Sequence, residues 1–173
     1  QNPSLSLDKL WKEDYNPERL ESIRSMKNGT QYTVLDKEGT SQAAIIRYDF
    51  GKLNDGVVLF NTAAYPKVKS LSGYAFSKKE QKILLETASD QIYRRSKQAI
   101  YWIYDLSTKA LEKVVDAKIQ EPLFSPDGTK IAYVYRRNLF VKELHNQNII
   151  QVTFDGDYKT INGITDWVYE EEF

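Results

Sequence analysis

Apolar positions follow two different rhythms along the chain. Between Leu5 and Met26, the residues Leu7, Leu10, Trp11, Leu20 and Ile23 stand among charged side chains in a weak helical spacing that Asn16-Pro17 interrupts. This part reads as an irregular N-terminal arm over residues 1–29. Asn28-Gly29 marks a turn, and beyond it the pattern changes to short apolar runs set apart by turn residues, which is how strands are written. The runs predict strands at 31–35, 43–48, 57–60, 82–86, 100–104, 130–135, 139–141 and 149–152.

The runs repeat. Phe76-Ser77 followed by Lys82-Ile83 recurs 48 residues later as Phe124-Ser125 followed by Lys130-Ile131. A second landmark, an acidic residue closing an apolar run, appears three times: Tyr48-Asp49-Phe50, Tyr104-Asp105-Leu106 and Lys142-Glu143-Leu144. Each unit reads as strand, tight turn, strand, short loop, strand, polar turn and strand, close to the ~40–50 residues of a four-stranded propeller blade. Ser125-Pro126-Asp127-Gly128 is the clearest turn, because Pro presets φ and Gly accepts φ > 0. The unit that begins at Phe76 is longer, with extra residues at 87–97 between its second and third strands.

The expected fold class is therefore all-β. Residues 30–173 make a β-propeller segment of about three four-stranded blades plus the start of a fourth, behind the irregular arm. Closed propellers have typically 4–8 blades, so this stretch cannot close a ring alone and reads as a piece of a larger protein. The blade faces left at the two ends of such a stack are expected to be apolar.

Composition agrees and narrows the function. Aromatic residues make up 13% of the chain, which favours strands over helices. With 24 Lys plus Arg against 24 Asp plus Glu, the chain has no global field to draw in nucleic acid, and no nucleic-acid partner is expected. No run of about 18 apolar residues is present to cross a membrane. The chain has no Cys, which removes thiol catalysis and Cys-based zinc sites. The start, Gln1-Asn2-Pro3-Ser4, has no basic or apolar leader, as in a mature chain after cleavage.

The segment Asn162-Gly163-Ile164-Thr165-Asp166-Trp167-Val168-Tyr169-Glu170-Glu171-Glu172-Phe173 is the most distinctive. Six acidic residues and one Lys fall between Asp155 and Phe173. Charge alone reads as a solvated tail, but Trp167, Val168, Tyr169 and Phe173 bracket the glutamates and are not tail composition. On a strand Glu170 and Glu172 would share a face; on a helix, neighbours about 100° apart can converge on one ligand. The sequence leaves both open.

Here the chain resembles a known family. Asn-Gly-Ile-Thr-Asp-Trp-Val-Tyr-Glu-Glu-Glu after correctly spaced blades is similar to the glutamate motif of dipeptidyl peptidase IV, in the prolyl oligopeptidase superfamily of serine peptidases. Tyr93-Arg94-Arg95-Ser96 followed by Tyr104-Asp105-Leu106 resembles the segment that carries that family's substrate-contacting arginine. The resemblance covers about residues 30–173.

What it implies is an N-terminal propeller that caps an α/β-hydrolase domain, with peptide bound between the two. Glu171 and Glu172 would hold the free α-ammonium of the substrate, and Arg94 would contact the carbonyl of its first residue. An ammonium has three donors, and charge-assisted hydrogen bonds are worth ~1.5–3 kcal/mol each, so such a clamp measures off two residues from the amine. The expected function is substrate gating and amine recognition for a serine exopeptidase that releases N-terminal X-Pro or X-Ala dipeptides. The expected partners are a peptide with a free N-terminus, the α/β-hydrolase domain and the remaining blades. A homodimer of the full-length enzyme is a further expectation, with its contacts largely outside these residues. The family also implies export, to the periplasm or the cell exterior.

The chain departs from the family by stopping after the motif. It has no Gly-x-Ser-x-Gly elbow, and its one His, His145, sits in the polar turn Leu144-His145-Asn146 as a surface residue. No catalytic residue, metal ligand or cofactor is assigned, and 173 residues alone are expected to be inactive. Asp155-Gly156-Asp157 lacks the 12-residue calcium pattern and reads as a turn, as does Asn28-Gly29-Thr30. Lys78, Lys79 and Lys82 read as the solvent face and edge protection of a hairpin. The competing reading is a non-catalytic periplasmic propeller module that binds a peptide or protein partner.

Overall fold

A computed structural model of the chain describes residues 6–11, 23–38 and 42–171. Asn16-Pro17, in the middle of the expected arm, lies outside the described residues, as does Glu172. A short helix, α1 (Leu7–Trp11), precedes three four-stranded antiparallel sheets. The first blade holds β1 (Arg24–Ser25), β2 (Gln31–Glu38), β3 (Gln42–Asp49) and β4 (Lys52–Asn61). The second holds β5 (Gly73–Phe76), β6 (Lys82–Gln91), β7 (Lys97–Asp105) and β8 (Leu111–Lys113), and the third β9 (Gln120–Phe124), β10 (Lys130–Tyr135), β11 (Asn138–Glu143) and β12 (Ile149–Gln151). Each is a meander whose strands are hydrogen-bonded in chain order. The segments read as strands from apolar runs lie in strands, save Val152, which falls one residue past β12, and the folded chain has the all-β, blade-by-blade form expected of it.

The sequence landmarks mark equivalent joints. Asp49, Asp105 and Glu143 each end the third strand of a blade. The next N–H in each case donates to the residue before the second strand: Phe50 to Thr30 at 2.9 Å, Leu106 to Gln81 at 3.0 Å and Leu144 to Thr129 at 2.9 Å. The 48-residue repeat likewise aligns two hairpins, in which Phe76 pairs with Ile83 and Phe124 with Ile131. In both, a serine hydroxyl accepts from the first N–H of the second strand: Ser77 from Lys82 at 3.1 Å and Ser125 from Lys130 at 2.9 Å. Lys82 is not edge protection; it is half-buried on a central strand and pairs with Asp105 at 2.8 Å, holding that carboxyl well below the usual range.

The middle blade buries both faces, which is why its strands read as unbroken apolar runs. Ile83, Leu85, Trp102 and Tyr104 pack with Ala43, Ile45 and Phe60 toward the first blade. Leu84, Ala99, Tyr101 and Ile103 pack with Ile131 and Tyr133 toward the third. Hydrogen bonds stitch the same gaps. Thr33 and Tyr74 hydroxyls meet at 2.7 Å, and the buried Lys142 ammonium donates to the carbonyls of Lys113 and Val114 at 2.9 Å each. The outermost faces are apolar, with Ala44, Ile46 and Val58 in register at one end and Leu123, Val141 and Ile150 at the other.

Two expectations change. Residues 87–97 are not a loop between strands: β6 runs on through Gln91 and β7 begins at Lys97, so the extra length is a tall hairpin. Its ladder shifts register between Thr87 and Asp90, with Ala88 at φ 48°, a bulge that bends the upper half. Past β12 the described residues hold no strand where a fourth blade would open; they form loop and the short helix α2 (Trp167–Glu171). This stretch satisfies its polar groups on the third blade instead of in a new ladder. Gly156 N–H donates to Asn138 Oδ1 at 3.0 Å, and Asn162 N–H donates to Arg137 O at 3.0 Å.

Candidate functional site

The glutamate run is helical at Glu170 and Glu171. Asp166 starts α2, its Oδ1 accepting from Tyr169 N–H at 3.2 Å, an N-cap contact. Glu171 closes the helix, so it and Glu170 are helical neighbours, about 100° apart, rather than opposed as on a strand. Trp167, Val168 and Tyr169 are exposed around them.

The approach to α2 is held by the β10–β11 turn. Arg136 and Arg137 both have positive φ, 48° and 65°, as the two central residues of a type I′ hairpin require. Arg137 donates to Asp157 O at 2.7 Å, and the Asn162 amide donates to Arg137 O at 3.3 Å and Asp155 Oδ1 at 3.0 Å. Asp157 Oδ1 accepts from Lys159 and Thr160 N–H at 2.8 and 2.7 Å, so Asp155-Gly156-Asp157 is a turn. Among the described residues no group of three or more His, Asp or Glu is placed to hold a metal ion.

Arg94 lies at the tip of the tall hairpin, in the bend at 92–95. The Gln91 side chain donates to the carbonyl of Arg94 at 2.9 Å and to that of Tyr93, while Ile92 and Tyr93 N–H donate to Ser96 O at 2.9 and 3.2 Å. Arg94 and Arg95 are exposed, and Ser96 beneath them is buried.

These two regions, 70 residues apart in sequence, open on one hollow of about 490 Å³. Arg95 lines it from the hairpin, Gly163, Ile164 and Thr165 from the approach to α2, and Glu121, Pro122 and Leu123 from β9. A second hollow of about 260 Å³ shares Glu121 and Pro122 and continues between β5 and β9, past Glu86, Lys97, Tyr101 and Arg24. Burial, reinforced by the Glu86 carboxylate, pushes the Tyr101 hydroxyl far above its ordinary value. A third cleft, of about 320 Å³, lies between the second and third blades around Lys82 and Asp105. His145 is at its rim, exposed in the turn after β11, as its sequence setting indicated.

Sequence reasoning picked out Arg94, Glu171 and Glu172; of these the structure places Arg94 and the backbone of Glu171. It did not single out Glu121, whose φ of 47° turns its carboxylate out of regular strand geometry beside the register shift of β9 on β10. Pro122 inside a strand was the available signal, because Pro marks edges and bulges.

Residues 77–173, more than half of the chain, match the model of the dipeptidyl peptidase IV (DPP IV) N-terminal region. The chain belongs to that family. The dipeptidyl peptidase IV fold is also what the whole chain superposes on: the crystal structure of Porphyromonas gingivalis dipeptidyl peptidase 4 matches with a TM-score of 0.82 and 34% identity, over 99% of this chain and 25% of that one. A probable dipeptidyl-aminopeptidase B of Chaetomium globosum is 34% identical over 157 residues, covering 88% of this chain and 16% of that protein. Human prolyl endopeptidase FAP is 39% identical over 109 residues, covering 61% of this chain and 14% of that protein. The chain thus spans a quarter or less of each of these three proteins, and within this dipeptidyl peptidase IV family it corresponds to N-terminal propeller blades.

Proposed function

We propose that this chain is the substrate-gating part of a serine exopeptidase that removes X-Pro or X-Ala dipeptides from free N-termini. Glu171 and Glu172 receive the α-ammonium, and Arg94 contacts the carbonyl of the first residue. The observation that carries the reading is the convergence of the Arg94 hairpin and the approach to α2 on one open hollow. Two carboxylates adjacent in sequence would meet a cation's donors, and an arginine of the hairpin tip would meet a carbonyl.

Bond cleavage belongs to an α/β-hydrolase domain of the parent protein, so these 173 residues bind without cutting. The apolar end faces, at Ala44, Ile46 and Val58 and at Leu123, Val141 and Ile150, suit further blades of the same ring. The parent enzyme acts in the periplasm or outside the cell, and as a homodimer in which other parts supply the contact.

The test is hydrolysis of Gly-Pro and Ala-Pro chromogenic amides by the full-length protein, with and without N-acetylation of the substrate. Release from the free amine alone supports amine recognition. Equal rates on the acetylated substrate would rule it out.

A further inference from the structure

Glu86 is the one buried carboxylate among the described residues, 7% exposed at the foot of the tall hairpin. Its Oε1 accepts from the Ser72 hydroxyl at 2.9 Å; its Oε2 accepts from the Lys97 ammonium at 2.7 Å and the Tyr101 hydroxyl at 3.3 Å. Ser72 N–H adds a bond to the Glu86 carbonyl at 2.9 Å.

The position of the partners gives this arrangement its meaning. Glu86 faces Tyr101 across the ladder, below the bulge, whereas Lys97 faces Gln91, above it. Four residue steps along the strand lead from Lys97 to Tyr101, ~13 Å of rise. The ion pair therefore spans the bend at Ala88 and ties the upper hairpin down onto its base. A second tie, Lys118 to Asp90 at 2.5 Å, braces the same upper half from outside.

With the Lys97 side chain 38% exposed, the ion pair is by itself a weak source of stability. A pair in this place gives direction instead. The bent upper hairpin carries Arg94, five residues past the bulge register at Ser89 and three before Lys97. Glu86, Lys97 and Tyr101 also line the hollow that shares Glu121 and Pro122 with the one at Arg95.

We propose that Glu86, Lys97 and Tyr101 form a clasp that fixes the tilt of the hairpin and so the position of Arg94, making Glu86 a positioning residue for substrate recognition. This rests on the reading of Arg94 as a substrate contact. Without the clasp the tip samples other tilts about Ala88, and binding must select one of them. That weakens the Michaelis complex and leaves the chemical step, on groups elsewhere, unchanged.

The experiment uses the full-length protein and a dipeptidyl amide substrate, with Glu86→Gln, Lys97→Met and Arg94→Met made singly and Glu86→Gln also made in the Arg94→Met background. Glu86→Gln and Lys97→Met are each expected to raise KM about tenfold with kcat changed less than about twofold, and Lys97→Arg to recover most of the loss. On top of Arg94→Met, Glu86→Gln should change KM less than about twofold, because its effect passes through the arginine. A melting point that falls while KM stays put, or an effect of Glu86→Gln that adds in full to that of Arg94→Met, overturns the clasp. An Arg94→Met enzyme with unchanged KM overturns the recognition reading and the clasp with it. Should Glu86→Gln not fold, Lys97→Met and Ser72→Ala carry the same comparison.

Discussion

The backbone N–H of Asn162 donates to the carbonyl of Arg137 at 3.0 Å, so the residue that begins the acidic motif is fastened to the β10–β11 turn. Gly163 follows with φ 84°, and a side chain there would meet Val134 Cγ2 at 2.8 Å and Leu139 Cδ1 at 3.3 Å. Gly163→Ala therefore combines left-handed strain with a clash against the third blade. It is expected to destabilise by about 1–3 kcal/mol and to displace the approach to α2. Calorimetry together with KM on a dipeptidyl amide checks this. A variant that melts and binds like the parent would show that the loop does not rest on Val134.

The middle blade predicts a second outcome. Leu85 is fully buried between the first and second blades, so Leu85→Ala is expected to cost about 2–5 kcal/mol, and the volume-conserving Leu85→Met less than about 1.5 kcal/mol. Denaturant unfolding of the three proteins separates the two. Similar losses for both variants would contradict close packing at this position.

The Lys82–Asp105 pair predicts a dependence on acid. The Lys82 ammonium, with help from Ser107 and Thr108, holds the Asp105 carboxyl below its ordinary value. Its stabilisation is therefore complete above the unfolded value, near ~3.9, and is lost as pH falls toward the depressed folded one. Asp105→Asn should melt below the parent at neutral pH, with the gap closing as pH drops below about 4. A gap that stays constant with pH would assign Asp105 a role independent of its charge.

At alkaline pH the sign reverses. Burial raises the hydroxyls of Tyr74, Tyr101, Tyr104 and Tyr133, so their neutral forms support the fold below about pH 10 and that support is lost as pH rises through the folded values. Tyr101 and Tyr104, the two raised furthest, should stay protonated at about pH 11 in the native protein and ionise on unfolding. Phenolate absorbance reads this directly. Tyr101→Phe should leave the native signal at that pH unchanged; a reduced signal would mean that Tyr101 is accessible.

The blades were legible because their signals are local. Short apolar runs, the Ser-Pro-Asp-Gly turn and the acidic residue closing each third strand all describe neighbours in sequence, and Phe76 and Phe124 fall at equivalent ladder positions. The short strands β1, β5, β8 and β9 had no long apolar run; β1 is Arg24-Ser25, held by Arg24 stacking 4.5 Å from the Tyr74 ring of the next blade. The tall hairpin was read as a loop because Thr87, Asp90 and Gln91 are polar, and a strand standing clear of the core needs no apolar face.

The site was legible in a different way. Its motif residues could be named from resemblance, yet nothing in their spacing told that Arg95 and residues 163–165 share a hollow, which depends on two blades packing side by side. Glu86 was hidden for the same reason. In sequence it is the polar end of the run Lys82-Ile83-Leu84-Leu85-Glu86, and only the fold shows it buried under Lys97 and Tyr101.

The most direct test is the kinetics of Glu171→Gln and Glu172→Gln in the full-length protein. Each change keeps the side chain's size and removes the charge that would meet the substrate amine. A loss of about 2–5 kcal/mol in kcat/KM on free dipeptidyl amides, roughly 30-fold or more, is expected, with the melting point unchanged. Parent-like kcat/KM in both variants would contradict amine recognition by this segment.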